Sequence, residues 1–276
     1  MSWHAKLSLD YRHEAGSTVL RHQHTGPLRV LQSLYPEGPA VCHNVLVHPP
    51  GGLVGGDTLT IGVDVQPHAH GLITTPGATR FYRCDDAPAL QSTHLALAEN
   101  ARLEWLPLEA ICHSGCLAEN RLSMALQPGA ELFGWDITAL GLPHANQPFA
   151  QGRFQQHIEL GGVWLERALI DAHDTLLLDG AAGMAGQRCI ASLFFTTGSA
   201  LARERRQGAL DSARAVIASH PLSASAGVTS PNPQVIVLRT LAPVVEPAMD
   251  LLKQVRRRWR QDLWNAQPVD PRIWAM

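Results

Sequence analysis

Strict alternation of apolar and polar residues over long stretches is the feature that most constrains this chain. In "DTLTIGVDV", Leu59, Ile61, Val63 and Val65 face one way, and Thr58, Thr60 and Asp64 face the other. In "VCHNVLVH", Val41, Val45 and Val47 share a face with His43, while Cys42, Asn44 and Leu46 take the opposite one. Side chains alternate across a strand with a period of two, so both stretches predict half-buried strands. The pattern dominates the first two thirds of the 276 residues, a length that can bury a substantial core.

A short theme recurs in "VQPHAHGLITT", "LAENARLEWL" and "LQPGAELFGW": an apolar residue, a polar turn, an alanine and a second strand. The alanines are Ala69, Ala101 and Ala130, roughly 30 residues apart, the spacing of stacked or coiled β layers. Generic hairpins would leave the same trace. "FQQHIELGGVWLERALI" predicts a further hairpin, with Gly161-Gly162 supplying its tight turn.

The texture changes after about Gly183. "RCIASLFFTT" reads as a buried strand, and "SALARERRQGALDSARAVIA" as a helix with Ser199 at its N-cap. "PQVIVLRTLA" is another strand. From Pro243 to about Trp264, Met249, Leu252, Val255, Trp259 and Leu263 recur at helical spacing. The ending "VDPRIWAM" reads as extended. The expected architecture is a single mainly β domain over 1–276: a large stacked or coiled antiparallel sheet body to about 183, then strand–helix–strand–helix.

Composition narrows the function. Charged residues are 17% of the chain and the formal net charge is −2, so no global field draws nucleic acid or an anionic membrane. No apolar run reaches the ~18–20 residues of a membrane helix, and the N-terminus has no apolar signal core, which predicts a cytoplasmic protein. The five cysteines are odd in number and scattered, unlike a disulfide framework.

Several groups carry potential chemistry. "HPPGGLVGGDTL" concentrates Gly51, Gly52, Gly55 and Gly56 ahead of Asp57. It has no Gly-Lys-Ser/Thr tail and leads into a strand, so it is not a phosphate loop. Its glycines permit positive φ or close backbone approach, with Asp57 capping a turn or lining a polar site. "EAICHSGC" offers Cys112, His113 and Cys116 as soft ligands without the second pair of a structural zinc site. Glu104, Glu109, Asp136 and Glu166 lie on strands in apolar surroundings, where a buried carboxylate is costly unless paired. "TTPGATRFYR" places Thr74, Thr75, Tyr82 and Arg83 around a Pro-Gly turn. Arg256, Arg257, Arg258 and Arg260 in "VRRRWRQ" read as a solvated helix face or a patch for an acidic protein. No Gly-x-Ser-x-Gly nucleophile motif occurs.

Taken together, "GPLRVLQSLYPEGPAVCHNVLVHPPGGLVGGDTL", "LITTPGATRFYR", "LEWLPLEAI" and the closing "PRIW" resemble the UreD (UreH) family of urease accessory proteins, in order and spacing from about residue 20 to the end. The resemblance implies a mainly β body with two helices and no catalytic activity of its own. It implies a scaffold that binds the urease apoprotein and UreF, and through UreF the GTPase UreG. It also implies a water-filled passage for nickel, held transiently with no tightly bound cofactor. Carboxylates suit that task, because oxygen ligands hold a divalent cation weakly enough to release it. Asp57 is the first passage candidate, then Glu109 and Glu166, then Glu104 and Asp136. Thr75, Tyr82 and Arg83 match signature positions as supports or partner contacts. A metal-dependent enzyme built on Cys112, His113 and Cys116 is the alternative, as is a structural adaptor without metal contact. "GLPHANQPF" departs from the family pattern: Leu142 replaces an Arg, and Asn146 and Gln147 stand where Gly and Glu are expected.

Overall fold

The computed structural model describes residues 2–84 and 87–275. Two sheets face each other across an apolar interior. In the first, strands His4–Glu14, Thr58–Val65, Ala89–Leu97, Cys116–Leu126 and Gly152–Leu160 run parallel, with Ser17–Thr25 and Trp164–Asp171 closing the edges antiparallel. In the second, Val41–Val47, His70–Thr74, Arg102–Leu106 and Glu131–Leu142 are parallel. Antiparallel Cys189–Thr197, Val235–Ala242 and Ala226–Asn232 extend it.

The chain therefore coils between the sheets. The expected stacked β body and its two long helices are present, but the antiparallel direction is corrected for the body: strands adjacent within each sheet mostly belong to successive turns of the coil. Alternation reports which face of a strand is buried and carries no information on direction.

The three recurring stretches are corners of the coil, not hairpins. Each is a four-residue turn, closed by Ala69 N to Gln66 O at 3.1 Å, Ala101 N to Ala98 O at 3.1 Å, and Ala130 N to Gln127 O at 3.0 Å. The residue before each alanine is left-handed: His68 (φ 64°), Asn100 (φ 58°) and Gly129 (φ 77°). Positive φ at the third turn position, with Pro67 and Pro128 at the second, is the type II pattern. The alanines are buried because the corners stack. Arg102 N donates to Ala69 O at 2.9 Å, Glu131 N to Ala101 O at 3.0 Å, and Gly198 N to Ala130 O at 2.9 Å.

Helix α1 (Thr175–Asp179) is short, while α2 (Arg203–Ser219) and α3 (Val245–Trp264) cover the outer face of the second sheet. Met249, Leu252, Val255, Trp259 and Leu263 are all buried in that layer, as the helical spacing predicts. Strands of the second sheet are thus covered on both faces, and Val41–Leu46 is buried throughout rather than half-buried. Ser199 does not cap α2, which begins four residues later behind Ala202. Its hydroxyl instead accepts from Gly129 N at 3.2 Å, bracing the last corner. The Gly161-Gly162 hairpin is present, with Gly162 at φ 71°.

The C-terminal "PRIW" is a 3₁₀ turn over Arg272–Ala275, not an extended segment. Trp274 stacks on Trp135 at 5.0 Å and donates to Thr74 Oγ1 at 2.9 Å, so ring burial and one polar bond bend the tail onto the body.

Candidate functional site

The glycine-rich loop is built for close approach. A Cβ on Gly52 would lie 2.3 Å from the Tyr82 ring, and one on Gly55 would lie 2.8 Å from Ala87 O. Leu53 N donates to Arg80 O at 2.7 Å and Tyr82 N donates to Leu53 O at 2.9 Å, joining the two signature segments. Tyr82 in turn stacks on His113 at 4.8 Å. Asp57 is buried, with Oδ1 accepting from Trp3 N at 2.7 Å and Oδ2 from Val54 N at 3.0 Å. Both carboxylate oxygens thus hold backbone. Thr75 Oγ1 accepts from Leu108 N at 2.9 Å and donates to Gly77 O at 3.0 Å. Behind this loop lies a cavity of about 210 Å³ whose lining includes Gly51, Gly52, Thr75, His48 and, on its inner wall, Gln91.

Gln91 begins a line of polar groups through the interior. Gln91, Asn120 and Gln156 are direct register partners on three adjacent parallel strands of the first sheet. On the facing sheet Asp136, Ser192 and Arg239 are register partners across three antiparallel strands. The two rows meet. Gln91 donates to Asn120 Oδ1 at 3.2 Å, Asn120 donates to Asp136 Oδ2 at 3.1 Å, and Gln156 donates to Asp136 Oδ1. Thr138 adds a bond to Asp136 Oδ1 at 3.3 Å. At the far end Arg239 grips Glu166 through two bonds, at 2.8 and 2.6 Å, where both side chains reach solvent.

Burial pushes the Asp136 carboxyl up to about 6, and the nearby Glu166 charge adds to it; the bonds from Thr138, Gln156 and Asn120 pull the other way without prevailing. No cation pairs with Asp136 in any ion pair among the described residues. Its partners there are amides and a hydroxyl, which leave the carboxylate's charge uncompensated.

Glu104 stands off this line, in a buried ionic hub beneath α3. Arg256 Nε donates to Glu104 Oε2 at 2.7 Å, and Arg260 Nη1 lies 3.3 Å from Oε1. Arg260 also binds Glu37, which His43 approaches at 2.7 Å. Arg256 reaches Asp270 at 3.2 Å and Val269 O at 3.1 Å. Burial alone would raise the Glu104 carboxyl, but the two guanidiniums and His70 hold it well below the usual carboxylate range. The arginine run is accordingly corrected: Arg256 and Arg260, four apart on one helix face, are fully buried. Only Arg257 and Arg258 face outward, toward Asp270 and Asp262.

Glu109 is separate again. It lines a cavity of about 260 Å³ with Leu142, Pro143, His144 and Glu246, and burial raises its carboxyl, helped by Glu246. The departures from the family pattern fall at this rim: Leu142 leads into a 3₁₀ turn, Asn146 is left-handed (φ 54°) and Gln147 pairs back with Leu142.

Cys112, His113 and Cys116 are the residues of the metal alternative. All five cysteines are free and buried. A hydrogen bond from Cys112 draws the Cys116 thiol down, while burial pushes Cys112 up. His113 stacks on Tyr82. Among the described residues no three His, Cys, Asp or Glu side chains converge as a metal-holding group.

Of the five carboxylates singled out in the sequence, the structure brings together Asp136 and Glu166, places Asp57 in the loop, Glu104 in the hub and Glu109 in a third location. Gln91, Asn120, Gln156, Ser192 and Arg239 were missed. Their signal was an Asn or Gln at one inward strand position on three successive turns of the coil, visible only once parallel register is known.

The fold is a β coil whose two sheets enclose a line of hydrogen-bonded polar groups. A family model described as UreD urease accessory protein matches residues 4–275, and the chain belongs to that family. It is 68% identical to the urease accessory protein UreD of Albidiferax ferrireducens and 66% identical to that of Paracidovorax citrulli, each over all of both chains. It is 47% identical to the UreD of Methylibium petroleiphilum over 99% of both. Among the described residues no helix is long and apolar enough to cross a membrane.

Proposed function

We propose that this chain acts in the cytoplasm as a scaffold in urease maturation, a factor rather than a catalyst. In this reading it docks the urease apoprotein and UreF, reaches UreG through UreF, and passes nickel along its interior. The observation that carries the reading is the polar line from Gln91 through Asn120, Asp136, Gln156 and Ser192 to Arg239 and Glu166. Its amide, hydroxyl and carboxylate oxygens suit a hard or borderline divalent cation. With only two carboxylates it holds such an ion weakly enough to let it leave, which a closed cage of His and Cys would not. Asp136 and Glu166 are the transit residues in this account. Asp57, whose oxygens are committed to Trp3 and Val54, shapes the loop at the near end.

The test is co-expression with the urease genes. Asp136→Ala combined with Glu166→Ala leaves the accessory complex assembled and lowers nickel per urease active site several-fold. Urease with its full nickel complement in that background would remove the transit role.

A further inference from the structure

The edges of the two sheets are not equivalent. Strand Ser17–Thr25 closes one edge with exposed Arg21, His22, Gln23 and His24, and polar side chains of this kind discourage a further strand. Strand Ala226–Asn232 contains Pro231, breaks register between Thr229 and Asn232, and is packed by α2. Arg29–Val30 is only two residues long.

Trp164–Asp171 carries one such device, the exposed Arg167, and lacks the others. It is eight residues long without proline, and its register with Gly152–Leu160 is unbroken. Among the described residues no strand pairs with its far side. Its outward face carries Leu165 at 53% and Leu169 at 59% exposure, on either side of Arg167. Arg167 makes no ion pair among the described residues; its one polar contact is His157 Nδ1 at 3.4 Å. A long, regular, apolar edge with free backbone groups is an open template for strand addition. Single exposed leucines are ordinary, but two in step on an unpaired edge are not.

We infer that Trp164–Asp171 is a docking edge that accepts an extended segment of a urease-maturation partner as an added strand. The guest that fits carries apolar residues opposite Leu165 and Leu169, with an acidic residue between them opposite Arg167. Because Glu166 lies on the inner face of the same strand, the docked segment lies beside the outer end of the polar line. The inference rests on the scaffold reading above and adds its contact surface and mode.

Hydrogen exchange on the co-purified complex tests it. The backbone amides of residues 164–171 slow at least tenfold in the complex relative to the free chain, while those of Ser17–Thr25 do not. Leu165→Glu with Leu169→Glu keeps the thermal transition of the parent and weakens the complex at least tenfold. A complex that forms while residues 164–171 exchange as in the free chain overturns the docking edge and leaves the scaffold reading standing. Slowed amides caused by a second copy of this chain, seen as a dimer in light scattering, overturn the assigned guest. If the unaltered chain forms no complex with urease or the other accessory proteins, the scaffold reading itself fails.

Discussion

Glu104 and Asp136 are two carboxylates held inside one molecule, and their settings are opposite. Glu104 meets two buried guanidiniums, so its charge is fixed and compensated. Asp136 meets two amides and a hydroxyl, and its charge is left available. The first arrangement locks α3 and the C-terminal segment to the sheet. The second leaves the carboxylate without a cationic partner among the described residues. Burial of a carboxylate is therefore not enough to mark a working site; the identity of its partners decides.

The largest effect expected from breaking this contrast is at the hub. Glu104→Gln strands Arg256 and Arg260 without a central counter-charge, and loss of one partner of a buried pair costs about 3–5 kcal/mol. The melting temperature then falls by roughly 5–9 °C, measured by calorimetry at pH 7.5. Glu104 is held below its ordinary value, so its contribution is present above the ordinary Glu range and fades as pH falls toward the depressed value.

Asp136→Asn has the opposite sign. The folded state raises this carboxyl to about 6, so the stability it favours is complete below the ordinary Asp range and is lost as pH rises through 6. Asn cannot ionise. Its variant gains on the parent between pH 4 and 7.5 by up to about 3 kcal/mol, read from paired thermal melts across that range. A gap that does not widen with pH would place Asp136 in a compensated setting like that of Glu104.

Two smaller effects test the frame around the polar line. Gly52→Ala drives a methyl into the Tyr82 ring and costs about 1–3 kcal/mol, visible in urea unfolding. Ser199→Ala removes the brace on the last corner and costs about 0.5–1 kcal/mol, with the fold unchanged.

Much of the body was legible in the sequence because alternation and helical spacing are local signals. Leu59 to Val65 and Met249 to Leu263 lie where their periodicities place them. Strand direction was not legible, since the corner at Gln66–Ala69 has the same residue types whether the chain reverses beside itself or crosses to a facing sheet. The site was legible in part. Asp136 and Glu166 stood out as carboxylates among apolar neighbours, but nothing local separates them from Glu104, whose partners lie 152 residues away at Arg256. Asp57 drew attention through its loop, and backbone accounts for both its oxygens: Oδ2 accepts from Val54 N within the loop and Oδ1 from Trp3 N outside it.

The most direct measurement is the rate at which nickel reaches apo-urease in a reconstituted complex of purified components, comparing the parent chain with Asp136→Leu/Glu166→Leu at equal complex concentration. The account predicts at least a tenfold slower transfer for the double variant, with Asp57→Asn close to the parent. Equal transfer rates for the double variant and the parent would contradict it.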